Sequence, residues 1–111
     1  MEKLEFYRQC IQELLREYSK STLSNDEIEV QTIFDTQHDH YQIVDLGWDK
    51  HRRIYYCVMH LDIKDRKIWI QRNQTDKLIA DELVAMGVRK NDIVLGLQPV
   101  YVREYTGYSV S

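Results

Sequence analysis

The chain has 111 residues, 43% of them hydrophobic, and its 15 basic and 18 acidic side chains give a net charge of −3. This length suffices for one domain with its own core, and the acidic balance argues against a protein that binds nucleic acid by net charge alone. The sequence lacks the run of about 20 apolar residues that a membrane span needs, and it lacks the apolar segment of a signal peptide. We therefore expect a single cytoplasmic domain over residues 1–111.

The first predicted element is an amphipathic helix over residues 2–19. Its apolar side chains recur at helical spacing with charged residues between them, which predicts one buried stripe. The stripe comprises Leu4, Tyr7, Ile11, Leu14, Leu15 and Tyr18. A polar break at residues 19–26 is expected to end this helix.

Four segments rich in valine, isoleucine and aromatic residues follow the break. They are Ile28–Phe34, His40–Trp48, Arg53–Ile63 and Lys67–Arg72. The gaps between them are short enough for β-hairpins, so the sequence predicts an antiparallel meander.

A second helix is predicted after the meander, with Thr75 as its N-terminal cap and Gly87 just beyond its C-terminal end. The segment Asp92–Leu97 is predicted as a short strand, and Pro99–Tyr105 as a last helical turn. The predicted fold is a single α+β domain. It has an antiparallel meander of four to five strands, with the N-terminal helix and the second helix packed on one face.

The register of the third and fourth strands follows from the turn between them. If Asp65 and Arg66 form a two-residue turn, Ile63 lies opposite Ile68 and the apolar residues match in pairs. The odd positions of the third strand then face the core, and the even positions face the other side of the sheet. These odd positions are Cys57, Met59, Leu61 and Ile63.

Histidine and aspartate are concentrated at one end of the meander, where metal or acid/base chemistry has to be considered. The candidate residues are His38, His40, His60 and Asp62. A four-residue loop over 49–52 places His40 opposite Leu61, with the imidazoles of His40 and His60 on opposite sides of the sheet. A change of one residue in that loop brings both to one face, and the sequence leaves this choice open.

The spacing of these residues matches none of the specific metal-binding motifs, and Asp and His are common in turns. We therefore predict a structural hairpin end with no catalytic residue, no metal and no cofactor. A metal-dependent hydrolase that uses the cluster is the alternative.

Two basic runs, Lys50–Arg53 and Lys64–Lys67, lie at opposite ends of the third strand, about 35 Å apart at the usual rise per residue. They are predicted as solvated turns. Direct contact with nucleic acid is the alternative for Lys50, Arg52 and Arg53, since aromatic residues lie nearby in the sequence.

Six segments, which match in order and at matching spacing over residues 2–110, resemble the XisI family of fdxN element excision controlling factors. They are FYRQCIQELLREYS, QTIFDTQHDHYQIVDLGWD, HLDIKDRKIWIQRNQTD, IADELVAMGV, DIVLGL and REYTGY. Two positions depart from the family pattern. Arg66 stands where the family often has glycine, and QPVYV replaces a stretch that commonly has two prolines.

The resemblance implies a non-enzymatic accessory protein in the excision of a DNA element during heterocyst development in cyanobacteria. It implies an XisH-like protein and a site-specific recombinase as partners, with the recombinase performing DNA recombination and this chain contacting DNA only indirectly. A direct DNA-binding specificity factor is the alternative function.

The C-terminal segment is the predicted partner surface, because tyrosine and arginine are favoured at the centres of interfaces. Its candidate residues are Tyr101, Arg103, Tyr105 and Tyr108. Two alternatives stay open at this point. The tyrosines fold back onto the sheet of their own domain, or they form a homodimer.

Overall fold

The computed structural model describes residues 2–21 and 27–111, so most of the predicted polar break at residues 19–26 lies outside the described residues. The described helices and strands are α1 (Lys3–Ser21), β1 (Ile28–Asp35), β2 (His40–Asp49), β3 (Arg52–Lys64), β4 (Lys67–Asn73), α2 (Ile79–Ala85), a 3₁₀ turn (Lys90–Asp92), β5 (Ile93–Val94) and α3 (Val100–Arg103). Within these ranges, no helix has the length and apolar character to cross a membrane.

The five strands of the described residues form one sheet in the order β1-β2-β3-β4-β5. β1 to β4 are antiparallel neighbours, which confirms the predicted meander and the α+β class. The prediction for the last strand was wrong in length. β5 pairs only through Ile93 and Val94, and it runs parallel to β4. The strand ends early because the N–H of Gln98 donates to the Leu95 carbonyl at 3.0 Å, which closes a turn.

α1 packs its apolar stripe on one face of the sheet, which we call the inner face. Tyr7, Ile11 and Leu15 are at most 1% exposed, and Tyr41 of β2 is wholly buried opposite them. Leu83 of α2 belongs to the same buried cluster, so both predicted helices cover this face. The opposite side of the sheet is called the outer face below.

A buried carboxylate ties α1 to the C-terminal half of the chain. The Tyr7 hydroxyl donates to Asp92 in the 3₁₀ turn, and the Lys3 ammonium lies 3.2 Å from the same oxygen. Burial alone would raise the pKa of Asp92, but the hydrogen bond from Tyr7 and the charge of Lys3 outweigh it and lower that pKa. The ionised carboxylate is therefore the form that the fold stabilises.

α2 begins at Ile79, and the prediction that Thr75 caps it is wrong. The Thr75 hydroxyl instead donates to Asn73 Oδ1 at 2.6 Å, and it accepts the N–H of Lys77 at 3.1 Å. These bonds form a turn of their own before the helix begins. The predicted end is confirmed, because Gly87 follows the helix with a φ of 112°.

The turn between β3 and β4 has the predicted two residues. Asp65 and Arg66 have φ values of 54° and 65°, as the mirror-image turns of tight hairpins require. Lys64 pairs with Lys67 and Ile63 with Ile68, so the predicted register is confirmed at this end of the hairpin.

Replacing Arg66 with glycine is expected to stabilise the protein. A side chain in the left-handed region costs roughly 1 kcal/mol, and glycine avoids this cost. The ion pair that would be lost, with Glu2 at 3.7 Å, is exposed and contributes little. We expect Arg66→Gly to raise the melting temperature by about 4 °C in a thermal melt. The control Arg52→Gly, at an ordinary strand position, should lower it, and a lower melting temperature for Arg66→Gly would contradict the prediction.

The acid stability of the protein should depend on Asp92. Because folding lowers the pKa of this carboxyl, its contribution is present above the unfolded value of about 4 and is lost as the pH falls through the folded pKa. Asp92→Asn should therefore cost about 1–3 kcal/mol at neutral pH and show a smaller further loss in acid. Thermal melts from neutral to strongly acidic pH test this, with the exposed Asp76→Asn as control. Equal acid losses in Asp92→Asn and the unsubstituted protein would refute it.

Candidate functional site on the outer face of the sheet

The register of β2 and β3 changes within the hairpin. From the turn to the pair Val44 and Cys57, the register is the predicted one. The next pair is Ile43 and Met59, so Val58 has no partner on β2. Val58 is therefore an extra residue on β3, a β-bulge that shifts all later pairs by one position.

The bulge brings the candidate histidines to one face of the sheet. His40 lies opposite Asp62 and Gln42 opposite His60, whereas the four-residue loop predicted His40 opposite Leu61. The sequence left open whether the two imidazoles share a face, and the bulge decides the choice, since both lie on the outer face. The register therefore no longer favours a purely structural hairpin end.

The predicted core face of β3 is also corrected by the bulge. Cys57 was expected inside with Met59 and Leu61, but it lies half-buried on the outer face. Val58 takes its place in the core and is 4% exposed.

The resulting cluster is held together by one carboxylate oxygen. Asp62 Oδ1 lies 2.9 Å from His40 Nδ1 and 2.7 Å from His60 Nε2. Gln71 Nε2 donates to the other oxygen, Oδ2, at 3.3 Å, and the Gln42 amide lies 3.3 Å from His60 Nδ1. Gln71 thus contacts Asp62, Gln42 contacts His60, and Asp62 and His60 contact each other.

The charges of the cluster reinforce each other. The hydrogen bond with Asp62 raises the pKa of His40 above its ordinary value. Burial alone would raise the pKa of Asp62, but its hydrogen bonds with His40 and His60 outweigh burial and lower that pKa. The arrangement thus favours an ionised carboxylate beside an imidazole that is ready to be protonated.

His38 lies apart from this cluster, in the turn between β1 and β2. Its Nδ1 is 2.9 Å from Asp35 Oδ2, and Asp35 also accepts the backbone N–H groups of Gln37 and His38. These are the local bonds of a turn. The neighbouring Asp39 accepts two bonds from the Arg8 guanidinium, at 2.8 and 3.2 Å, which attaches the turn to α1.

The sequence did not identify Gln42 as a member of the cluster. The signal was present in the alternation along β2, since residues 40 and 42 share a face of any strand. Its relation to His60 could not be read from the sequence, because it depends on the bulge.

The basic turn candidates lie at the far end of the hairpin from the cluster. The Arg53 guanidinium is 5.5 Å from the Trp48 ring and 5.9 Å from the Tyr55 ring, while Arg52 lies 3.9 Å from Asp49. Lys50 is exposed in the turn. As predicted, the second basic run is at the other end of β3.

The four C-terminal candidates divide into two pairs. Tyr101 and Tyr105 are 76% and 82% exposed. The Tyr108 hydroxyl donates to Asp81 of α2, and the Arg103 guanidinium lies 5.4 Å from the ring of Trp69. The first pair faces solvent, and the second pair attaches the segment to the domain.

The fold is similar to those of two crystal structures from Anabaena variabilis ATCC 29413. A XisI-like protein is 48% identical, with a TM-score of 0.93, over 99% of this chain and 100% of that chain. The fdxN element excision controlling factor XisI is 32% identical, with a TM-score of 0.88, over 99% of this chain and 100% of that chain. Comparison with curated protein sequences gives no significant match.

The family model described as XisI protein matches residues 1–110. The chain therefore belongs to the XisI family, and the resemblance drawn from its six segments is confirmed.

The isolated protein is expected to bind duplex DNA no more tightly than the micromolar range at physiological salt. The net charge is −3, and the basic turns lie at opposite ends of β3. A gel-shift assay with a fragment carrying the element end tests this. Sub-micromolar binding with a steep salt dependence, lost in Lys50→Glu/Arg52→Glu, would overturn the expectation.

Proposed function

We propose that this chain is a non-enzymatic controlling factor for the excision of a DNA element, which acts by binding an XisH-like protein and a site-specific recombinase. Membership in the XisI family supports the process. One of its structural neighbours is an fdxN element excision controlling factor. The recombinase performs the strand chemistry, and this chain controls it through protein contacts.

The observation that carries the proposal is an exposed apolar surface on the C-terminal segment, which we call the C-terminal surface. It is formed by Leu97, Val100, Tyr101, Tyr105 and Val110, which are between 43% and 82% exposed. Large apolar side chains concentrated on one short segment are typical of surfaces that bind another protein. Exposed tyrosines add contact area and a polar group at little cost in side-chain entropy.

The segment that carries this surface is held in place by the rest of the domain. The Arg103 guanidinium lies 5.4 Å from the Trp69 ring of β4, and the N–H of Ser109 donates to the Ile93 carbonyl at 2.8 Å. Lys67 Nζ donates to Ser109 Oγ at 2.8 Å. A surface that is already ordered loses less entropy when a partner binds.

A direct DNA-binding specificity factor is the second candidate function. Its support is the exposed hairpin end, where Arg53 stacks between Trp48 and Tyr55 beside Lys50 and Arg52. Base stacking on such aromatic and guanidinium groups is how many proteins hold single strands. The net negative charge favours the protein-binding function.

Substitutions on the C-terminal surface should separate partner binding from stability. We expect Tyr101→Ser/Tyr105→Ser to lose most of its binding to the XisH-like protein in a pull-down, at an unchanged melting temperature. Tyr108→Ala should instead lower the melting temperature, because it removes the contact with Asp81. The matched control is Tyr55→Ser, an equally exposed tyrosine at the other end of the sheet.

Full binding by the double variant would refute the C-terminal surface as the partner site. If Tyr55→Ser loses binding and the double variant does not, the partner binds at the hairpin end between β2 and β3. Light scattering of the isolated chain tests the competing homodimer, since a dimer that Tyr101→Ser/Tyr105→Ser dissociates would assign this surface to a second copy.

A further inference from the structure

The cluster of His40, His60 and Asp62 has no part in the proposed partner contacts. One nitrogen from each imidazole and one carboxylate oxygen lie within 4.8 Å of one another. The side chains of His60 and Asp62 are 27% and 15% exposed, and that of His40 is 57% exposed. His60 and Asp62 are therefore partly buried against the sheet, and His40 forms the side of the group that is open to solvent.

These donor atoms suit a divalent transition-metal ion. Two imidazoles and a carboxylate form one of the three-residue ligand sets of zinc, with water in the fourth position. In a tetrahedral site with bonds of about 2.0–2.1 Å, neighbouring ligand atoms are about 3.4 Å apart. The contacts of Asp62 Oδ1, at 2.9 and 2.7 Å, need to open by about 0.5 and 0.7 Å to reach that spacing, and the two imidazole nitrogens, within 4.8 Å of each other, need to approach by at most about 1.4 Å.

The groups around the cluster have the arrangement that supports metal ligands. Gln42 Nε2 lies 3.3 Å from His60 Nδ1, which orients the ring with Nε2 toward Asp62. When Nε2 binds a metal, Nδ1 carries the proton, and the Gln42 amide has to turn its oxygen toward it to accept that proton. Gln71 holds Asp62 Oδ2, so Oδ1 is the oxygen that remains for coordination. Such supporting bonds fix the orientation of the ligands.

The backbone also fixes the ligands before any metal binds. His40 and Asp62 are direct partners across β2 and β3, and His60 is two residues before Asp62 on the same face. Ligands on paired strands are positioned more precisely than ligands on loops. The bulge at Val58 makes this common face possible.

The geometry points to a site for one Zn²⁺-class ion, bound by His40 Nδ1, His60 Nε2 and Asp62 Oδ1, with its open position toward solvent. The site rests on side chains separate from the C-terminal surface. Its presence or absence is therefore independent of the proposed partner binding.

Calorimetric titration with zinc chloride tests the site on the full chain, without a histidine tag and after treatment with a chelator. We expect one zinc ion per chain, with a dissociation constant in the low micromolar range or tighter. His60→Ala and Asp62→Asn should each weaken binding by at least about tenfold, and Gln71→Leu by about tenfold. The matched controls are His38→Ala and His51→Ala, which remove histidines outside the cluster.

Two further measurements keep the result interpretable. His40 is exposed, so His40→Ala should lose zinc affinity without losing stability, even if Asp62→Asn folds poorly. Cobalt should give the intense visible absorption of a four-coordinate ion, and His40→Ala should abolish it. Binding that survives His60→Ala, or that the control variants weaken equally, would mean adventitious contact with surface histidines and would overturn the proposal.

Discussion

The extra residue at Val58 is the constraint on which the outer face depends. Side chains along a strand alternate between the two faces of the sheet. One inserted residue therefore moves all later side chains of that strand to the opposite face relative to the partner strand. Here it sends Val58 and Met59 into the core and gives His60 and Asp62 to the face of His40. The cluster is thus a product of register more than of any sequence motif.

The backbone carbonyls of the two residues at the bulge, Cys57 and Val58, both accept hydrogen bonds. Arg72 Nε donates to the Cys57 carbonyl at 2.8 Å, and the N–H of Gln74 donates to the Val58 carbonyl at 2.9 Å. Both donors lie on β4 or just after it, in a part of the chain where Gln71 is itself an extra residue in the ladder. The two irregularities therefore lie close together on adjacent strands.

The sequence predicted the features that local chemistry decides. The stripe of α1, the meander and the turn at Asp65 and Arg66 follow from spacing and turn chemistry, and the structure has all three. The register beyond Val58 could not be predicted, because a bulge depends on partners from another strand. The predicted cap at Thr75 is wrong for a local reason, because its hydroxyl bonds to Asn73, two residues earlier in the chain.

The outer face connects the cluster with the C-terminal segment. Asp62 is paired across the sheet with Trp69, which is 8% exposed although it lies on the outer face. Lys64 and Arg103 cover its ring, at 4.7 and 5.4 Å. The segment that presents Tyr101 and Tyr105 is therefore seated on the cross-strand neighbour of Asp62 and shares the outer face with the cluster.

The bond between Tyr7 and Asp92 has a consequence for the order of folding. The hairpins of the meander join residues close in sequence, and such contacts form early. Tyr7 and Asp92 are 85 positions apart, so the loop they close carries a much larger entropic cost. During synthesis α1 leaves the ribosome before the strands of the meander, and the 3₁₀ turn leaves it after them. α1 therefore gains Asp92 as its buried partner only after the whole meander has been made.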